Sequence, residues 1–273
     1  MIDINIKKLI QIVSSVAKHE LLPRFAKVHH QFKNDGSIVT EADVITQKRL
    51  SEQLLQHWPE TVLLGEEMSI EEQATILSSD NPVWCLDPLD GTSNFAAGIP
   101  YFAVSLSLMS KGMVVLGLVY DPIRDECFFA QDNTGAEVLA YLNDKPLVRK
   151  NTSVSLSQSI AIVDFKRLSN ALATRIVTER PFASQRNFGA SALDWCWLAA
   201  GRGHVYLHGK QNLWDYAAGE LIFRSSNGIS STLNGEAVFM KTLEKRSVVA
   251  AVNSDLFSEW SSWLGIQGEI KRT

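Results

Sequence analysis

Apolar residues at Ile2, Ile6, Leu9, Val13 and Val16 recur at the spacing of one helix face. They predict an amphipathic helix over about residues 3–20, limited by Pro23. Lys33-Asn34-Asp35-Gly36-Ser37 reads as a polar turn. Thr40-Glu41-Ala42-Asp43 has the form of a capping box and opens a second helix, which runs to about His57 and stops before Pro59. A short apolar strand from Thr61 to Leu64 runs into Gly65-Glu66-Glu67, and residues 71–79 look helical. Val83 to Leu86 is a buried strand.

From Phe102 to Val148 the period changes. Phe102–Leu108 and Met113–Tyr120 are β-rich runs separated by Lys111-Gly112. Cys127–Ala130 and Glu137–Ala140 follow, with Asn133-Thr134-Gly135 between them, and all four read as antiparallel hairpins. Beyond lie a strand at Ile160–Asp164 and a helix at Asn170–Glu179. Gly189-Ala190-Ser191 leads into a helix to Ala200, ended by Gly201. A strand at His204–Leu207, a helix at Asp215–Ser226, a strand at Ser247–Asn253 and a helix at Leu256–Leu264 complete the chain. Interleaved helices and strands with an antiparallel middle predict a layered α/β architecture, not a purely parallel doubly wound sheet. No repeat or linker interrupts the pattern. One domain over residues 1–273 is expected, with an α+β half to about residue 150 and an α/β half from about 151.

Composition adds exclusions. An apolar content of 45% and a charged content of 21% are those of an ordinary globular protein. A net charge of −4 without a basic run argues against a nucleic-acid partner. Cys85, Cys127 and Cys196 show neither pairing nor metal-site spacing and sit in apolar surroundings, as inert buried thiols do. No leader is visible and no apolar run approaches about 18 residues, so a cytoplasmic location and no membrane partner are expected.

The chemistry concentrates in Val83-Trp84-Cys85-Leu86-Asp87-Pro88-Leu89-Asp90-Gly91-Thr92-Ser93-Asn94-Phe95. An apolar strand ends in two carboxylates, and a turn at Pro88-Leu89 is expected to bring Asp90 back beside Asp87 and to expose the Leu89 carbonyl. Glu66 with Glu67, and Asp215, stand at similar junctions. Crowded carboxylates are costly unless cations neutralise them, and hard cations such as Mg²⁺ want oxygen ligands. Gly91-Thr92-Ser93 then offers successive N–H donors to an anion. Taken singly, these residues have plainer readings. Asp87, Asp90 or Asp215 could cap a helix, and Asp43 could serve only its capping box. Trp84, Trp195, Trp197 and Trp214 read as core, and His204 and His208 as surface or internally satisfied groups.

Together the segments resemble the inositol monophosphatase family, Mg²⁺-dependent and lithium-sensitive phosphomonoesterases. The resemblance runs from Lys33 to about Gly228. It is carried by Lys33–Asp43, by Gly65-Glu66-Glu67, by Trp84–Phe95 continuing into Gly98–Ser105, and by Trp214-Asp215-Tyr216-Ala217-Ala218-Gly219. It implies an αβαβα sandwich of the type shared with fructose-1,6-bisphosphatase, and a homodimer. It also implies roles. Glu66, Asp87 and the Leu89 carbonyl resemble one Mg²⁺ site; Asp87, Asp90 and Asp215 resemble a second, with two or three ions per site. Thr92 with Glu66 resembles the pair that orients the attacking water. The N–H groups of Gly91, Thr92 and Ser93 would hold the phosphate, with Lys33 and Asp43 in the surrounding network.

The substrate side of the resemblance is less direct. Gly189, Ala190, Ser191 and the segment Leu207-His208-Gly209-Lys210 should line the alcohol, together with Asp90 and Asp215. Inositol-specific members carry an acidic residue seven positions before the last metal aspartate, and here that position is His208. A small polyol or sugar phosphate of the inositol 1-phosphate type is therefore expected, with histidinol phosphate, fructose 1,6-bisphosphate and nucleotide 3′-phosphates as alternatives. Ser93-Asn94 after Gly-Thr disfavours the nucleotide branch. A haloacid-dehalogenase reading needs aspartates two apart, whereas Asp87 and Asp90 are three apart. A calcium-loop reading lacks its alternating acidic loop. A non-catalytic interaction protein is the alternative from another class.

Overall fold

The computed structural model describes residues 2–28, 30–32, 38–132, 138–149 and 153–266. Lys33, the polar turn that contains it, and Asn133-Thr134-Gly135 lie outside the described residues.

Helix α1 (Ile6–Val16) begins at Asn5, whose side chain accepts the Lys8 N–H, and buries Leu9, Ile12 and Val13. It continues through a wide turn at Ala17–Leu21 and a tighter one at Leu22–Arg24 that contains Pro23. A small hairpin pairs β1 (His30–Phe32) with β2 (Ile38–Thr40). Then come α2 (Glu41–His57), β3 (Val62–Gly65), α3 (Ile70–Leu77), β4 (Val83–Asp90) and α4 (Thr92–Ala97). Both predicted features of α2 hold: its capping box at Thr40 is reciprocal, and its last residue is His57. Strands β5 (Ala103–Ser110), β6 (Met113–Asp121), β7 (Glu126–Gln131), β8 (Ala140–Leu142) and β9 (Lys145–Pro146) form the expected antiparallel meander.

The second half holds β10 (Ile160–Asp164), α5 (Asn170–Glu179), β11 (Ser184–Arg186), α6 (Ser191–Ala199) and β12 (Val205–Gln211). It closes with α7 (Leu213–Ser225), β13 (Ile229–Ser231), β14 (Arg246–Ala251) and α8 (Ser254–Leu264). Strands β11 and β13 have no apolar pattern of their own, and only pairing reveals them.

These elements make two sheets. One runs β3-β4-β5-β6-β7-β8-β9, with only β3 and β4 parallel. The other runs β11-β10-β12-β14-β13, parallel at β11-β10-β12 and antiparallel beyond. Alternation along β4 to β7 divides the core. Trp84, Leu86, Leu106, Leu118 and Phe129 face a cluster with Leu9, Val13, Leu50 and Leu54 of α1 and α2. Cys85, Ala103, Val119 and Phe128 face a second cluster with Trp195 and Cys196 of α6 and Ala218 and Phe223 of α7. That cluster continues into Val205, Leu207, Val249 and Ala250 of the second sheet and ends on Leu256 and Trp260 of α8. The order is helix, sheet, helix, sheet, helix: the layered α/β architecture that the patterning predicts, in the order that the family resemblance implies. Gly117 marks how closely the middle layer packs, because a Cβ there would lie 2.6 Å from the Ala218 carbonyl oxygen. All three cysteines are buried free thiols, and Trp84 and Trp195 are fully buried. Among the described residues, no helix is long and apolar enough to cross a membrane.

Candidate active site

Strand β4 delivers two carboxylates by a bulge, where the sequence suggested a turn. Asp87 pairs with Ser105 and Asp90 with Ala103, so two residues on β4 oppose one on β5. In a regular strand, residues three apart face opposite sides; one extra residue returns Asp90 to the side of Asp87. Pro88, with no N–H to lend a ladder, sits in the bulge. Leu86 and Leu89 both pack into the α1/α2 side of the core, as this offset requires. Asp87 Oδ1 accepts the Leu89 N–H at 3.0 Å and stiffens the bulge.

Glu66 follows β3 and extends its ladder, with its N–H on the Leu86 carbonyl at 3.1 Å. Two glutamines hold its backbone, which sequence reasoning missed. Gln73 Nε2 donates to the Gly65 carbonyl at 2.9 Å and to the Glu66 carbonyl at 3.3 Å. Gln47 Oε1 accepts the Glu67 N–H at 3.1 Å. A Cβ at Gly65 would overlap the Gln47 amide, so a side chain at 65 would displace Gln47 from the Glu67 N–H.

Asp43 serves two partners. Its Oδ2 accepts the Thr40 N–H at 2.7 Å and the Thr40 hydroxyl at 2.6 Å, closing the capping box. Its Oδ1 lies 3.1 Å from Thr92 Oγ1, which is also 3.0 Å from the Leu89 carbonyl oxygen. Asp43 is thus both a helix cap and the neighbour of Thr92. Thr92 opens α4 behind Gly91, whose φ of +89° only glycine adopts readily.

Asp215 differs from its expected place. The N-cap of α7 is Asn212, and Asp215 is the third helical residue, with Oδ2 accepting the Asn212 N–H at 2.8 Å. Asp90 reaches across the molecule: its two oxygens accept the N–H groups of Ser191 at 3.1 Å and Ala192 at 2.7 Å. That contact sets the segment Gly189-Ala190-Ser191 beside Asp90.

The carboxylates perturb one another. Burial, then the charges of Glu66, Asp90 and Asp215, push the Asp87 carboxyl well above its usual range. Burial pushes Asp90 to about 7 against the Ser191 and Ala192 hydrogen bonds, with Glu66 adding to the rise. Asp215 rises through burial and the charges of Asp90 and Glu66. Asp43 rises to about 6, chiefly through burial. Among the described residues, no three His, Cys, Asp or Glu side chains are arranged to hold a metal ion as they stand. The donor set nevertheless suits a hard divalent cation: all oxygen, mutually repelling, and buried at Asp87 and Asp90. The neighbouring thiol, Cys85, is pushed up by burial and by Asp87 and stays protonated.

In the segment expected to line the alcohol, His208 is an internally satisfied group, one of the two readings the sequence offered. The residue is buried on β12, opposite Asp164 on β10. Its Nδ1 accepts the Lys210 N–H at 3.2 Å, and its Nε2 lies 3.2 Å from Asp164 Oδ2. Both ring nitrogens are engaged within the protein. Asp164 therefore brings a carboxylate to this corner, from a strand that sequence spacing does not connect to position 208. His204 is likewise satisfied internally, its Nδ1 accepting the Ile160 N–H.

An αβαβα sandwich with buried acidic clusters at strand ends defines a class of phosphatase-like folds, and comparison with known proteins places the chain within it. It belongs to the inositol monophosphatase family, whose model matches residues 2–261. It is 34% identical over 208 residues to inositol monophosphatase 1 of Solanum lycopersicum, covering 74% of each chain. It is 32% identical over 211 residues to the Nus factor SuhB of Pasteurella multocida, again covering 74% of each. The crystal structure of the extragenic suppressor protein suhB from Bartonella henselae superposes with a TM-score of 0.80 at 26% identity, covering 95% of this chain and 97% of that one.

Proposed function

We propose that the protein is a Mg²⁺-dependent phosphomonoesterase acting on a small polyol or sugar phosphate of the inositol 1-phosphate type. The observation that carries the reading is the convergence of Glu66, Asp87, Asp90 and Asp215, from three separate elements, into one acidic cluster in which Asp87 and Asp90 are buried and Glu66 and Asp215 half-buried. No fold needs that repulsion for stability, and a bound cation relieves it.

Glu66, Asp87, Asp90, Asp215 and the Leu89 carbonyl would hold two or three Mg²⁺ ions. Bound Mg²⁺ would supply a lowered pKa for the attacking water and neutralisation of the charge on the phosphoryl oxygens. The residues of the chain do the positioning. Thr92, fixed by Asp43, and Glu66 orient the water for in-line attack. The N–H groups of Gly91, Thr92 and Ser93 hold the phosphate. Gly189, Ala190, Ser191 and the His208–Asp164 corner face the alcohol. The phosphorus–oxygen ester bond breaks as the water oxygen bonds to phosphorus, and the alcohol leaves with a proton.

The family resemblance supports a homodimer, and the buried free thiols suit a reducing cytoplasm. A second reading, a non-catalytic regulatory protein, draws support from the relative named as a Nus factor.

The test is phosphate release from inositol 1-phosphate, glycerol 2-phosphate, histidinol phosphate, fructose 1,6-bisphosphate and a 3′-phosphonucleotide, with and without Mg²⁺, for the parent and Asp215→Asn. Mg²⁺-dependent release that the variant loses is expected. No release from any ester turns the assignment to the non-catalytic reading.

A further inference from the structure

Asn94 stands between the two walls of the site. Its side chain is buried, and Nδ2 uses both protons: one on the Tyr101 carbonyl at 2.8 Å, the other on the Phe188 carbonyl at 2.7 Å. Phe188 precedes Gly189, whose φ is +82° and where a Cβ would already touch the Asn94 amide at 3.4 Å. Tyr101 ties the same segments from the other side, since its hydroxyl lies 3.0 Å from Asp194 Oδ1 in the first turn of α6. The gap between the walls has no slack: a Cβ at Gly91 would lie 3.0 Å from both the Ala190 Cβ and the Tyr101 carbonyl oxygen.

We propose that Asn94 is a positioning residue that clamps the Gly91–Thr92 turn to the Gly189–Ser191 segment, fixing the distance between the phosphate side and the alcohol side of the site. The role rests on the phosphomonoesterase reading above. Asn94 acts through the backbone of Phe188 and Tyr101, whose carbonyls take both of its amide protons. Two donated bonds to carbonyls 87 residues apart in sequence are something only an amide or a cationic side chain provides at this position. Their loss lets Gly189–Ser191 move relative to Thr92, and a displacement of about 1 Å can cost roughly a hundredfold in rate.

The experiment compares the parent with Asn94→Ala and Asn94→Asp at saturating Mg²⁺. Asn94→Asp keeps the volume and loses both donated bonds, so it also serves if the alanine variant folds poorly. Two esters are used: glycerol 2-phosphate, whose alcohol must be held in place, and p-nitrophenyl phosphate, whose activated leaving group makes no such demand. We expect kcat for glycerol 2-phosphate to fall about 30- to 100-fold and that for p-nitrophenyl phosphate less than about fivefold. Amide exchange at Ser191 and Ala192 should speed up by about tenfold or more, because their hold on Asp90 loosens. Equal losses on both esters, or no loss, overturn the clamp. A parent that releases phosphate from neither ester sinks the phosphomonoesterase reading instead, and exchange at Ser191 and Ala192 then decides the clamp alone, with unchanged rates against it.

Discussion

His208 Nε2 lies 3.2 Å from Asp164 Oδ2, across neighbouring parallel strands whose register sets the two residues side by side. The histidine is buried and its Nδ1 accepts the Lys210 N–H, while Asp164 Oδ1 accepts the Lys166 N–H, so each side chain has a second partner that holds it in place. A histidine where an acidic residue was expected therefore does not strip this corner of negative charge.

Removing that charge should cost stability in a pH-dependent way. Burial acts to raise the Asp164 carboxyl, but the hydrogen bond from His208, with the Lys166 N–H and Arg167, holds it below the usual range. A depressed carboxyl stabilises the fold above its unfolded value of about 3.9, and this contribution fades as the pH falls through the folded value. Asp164→Asn should be less stable than the parent by about 1–2 kcal/mol at pH 7. In urea unfolding the gap should close as the pH falls through the folded value. An equal gap above and below that value would mean that packing alone is responsible.

Restoring an acid at position 208 should not restore an inositol site. His208→Glu sets a second carboxylate against Asp164 in a buried setting, and like charges there are destabilising. Unfolding should shift by about 1–3 kcal/mol, and turnover of inositol 1-phosphate should fall. A variant with parental stability and improved turnover of that ester would refute the pairing.

Gly91 should not tolerate a side chain. Its φ of +89° and the 3.0 Å approach to Ala190 and the Tyr101 carbonyl leave no room for a methyl group. Gly91→Ala should lose about 1–3 kcal/mol through backbone strain and crowding. Phosphate release should drop at least tenfold, because the same turn leads into Thr92. Thermal unfolding together with the phosphate assay checks both, and a fully active variant would show that the turn is free to relax.

Mg²⁺ should act as a folding ligand. A cation that binds only the folded state adds about 2.7 kcal/mol at one hundred times its dissociation constant. The parent should therefore melt higher in excess Mg²⁺ than in EDTA. Asp215→Asn should be no less stable than the parent in EDTA, because it removes a buried like charge while an amide oxygen can still accept the Asn212 N–H. It should lose most of the gain from Mg²⁺. Asp90→Asn is a poorer probe, since both Asp90 oxygens accept backbone N–H groups and an amide would turn a donor toward one of them. An Asp215→Asn protein with the full parental Mg²⁺ response would remove Asp215 from the metal site.

Much of this molecule is local and could be read locally. The capping box at Thr40, helix α2 ending at His57, helix α5 from Asn170 to Glu179 and strand β10 from Ile160 to Asp164 fall where the pattern puts them. The helices depend on contacts within a few residues and the strand is marked by its apolar run, signals that composition and spacing encode directly. Glu66, Asp87, Asp90 and Asp215 were legible singly as carboxylates at element junctions, and the family resemblance joined them into a set.

Partnership was decided only in three dimensions. The bulge at Pro88 depends on the register of β5, and a sequence viewed alone makes it a turn. Asp215 became the third residue of α7 because Asn212 took the cap, a choice settled by backbone geometry. The hold of Ser191 and Ala192 on Asp90 spans about a hundred residues, and that of His208 on Asp164 crosses two strands. Residue identity fixes which hydrogen bonds and charges a side chain can offer; which partner meets them depends on how distant elements pack, and only the folded chain supplies that.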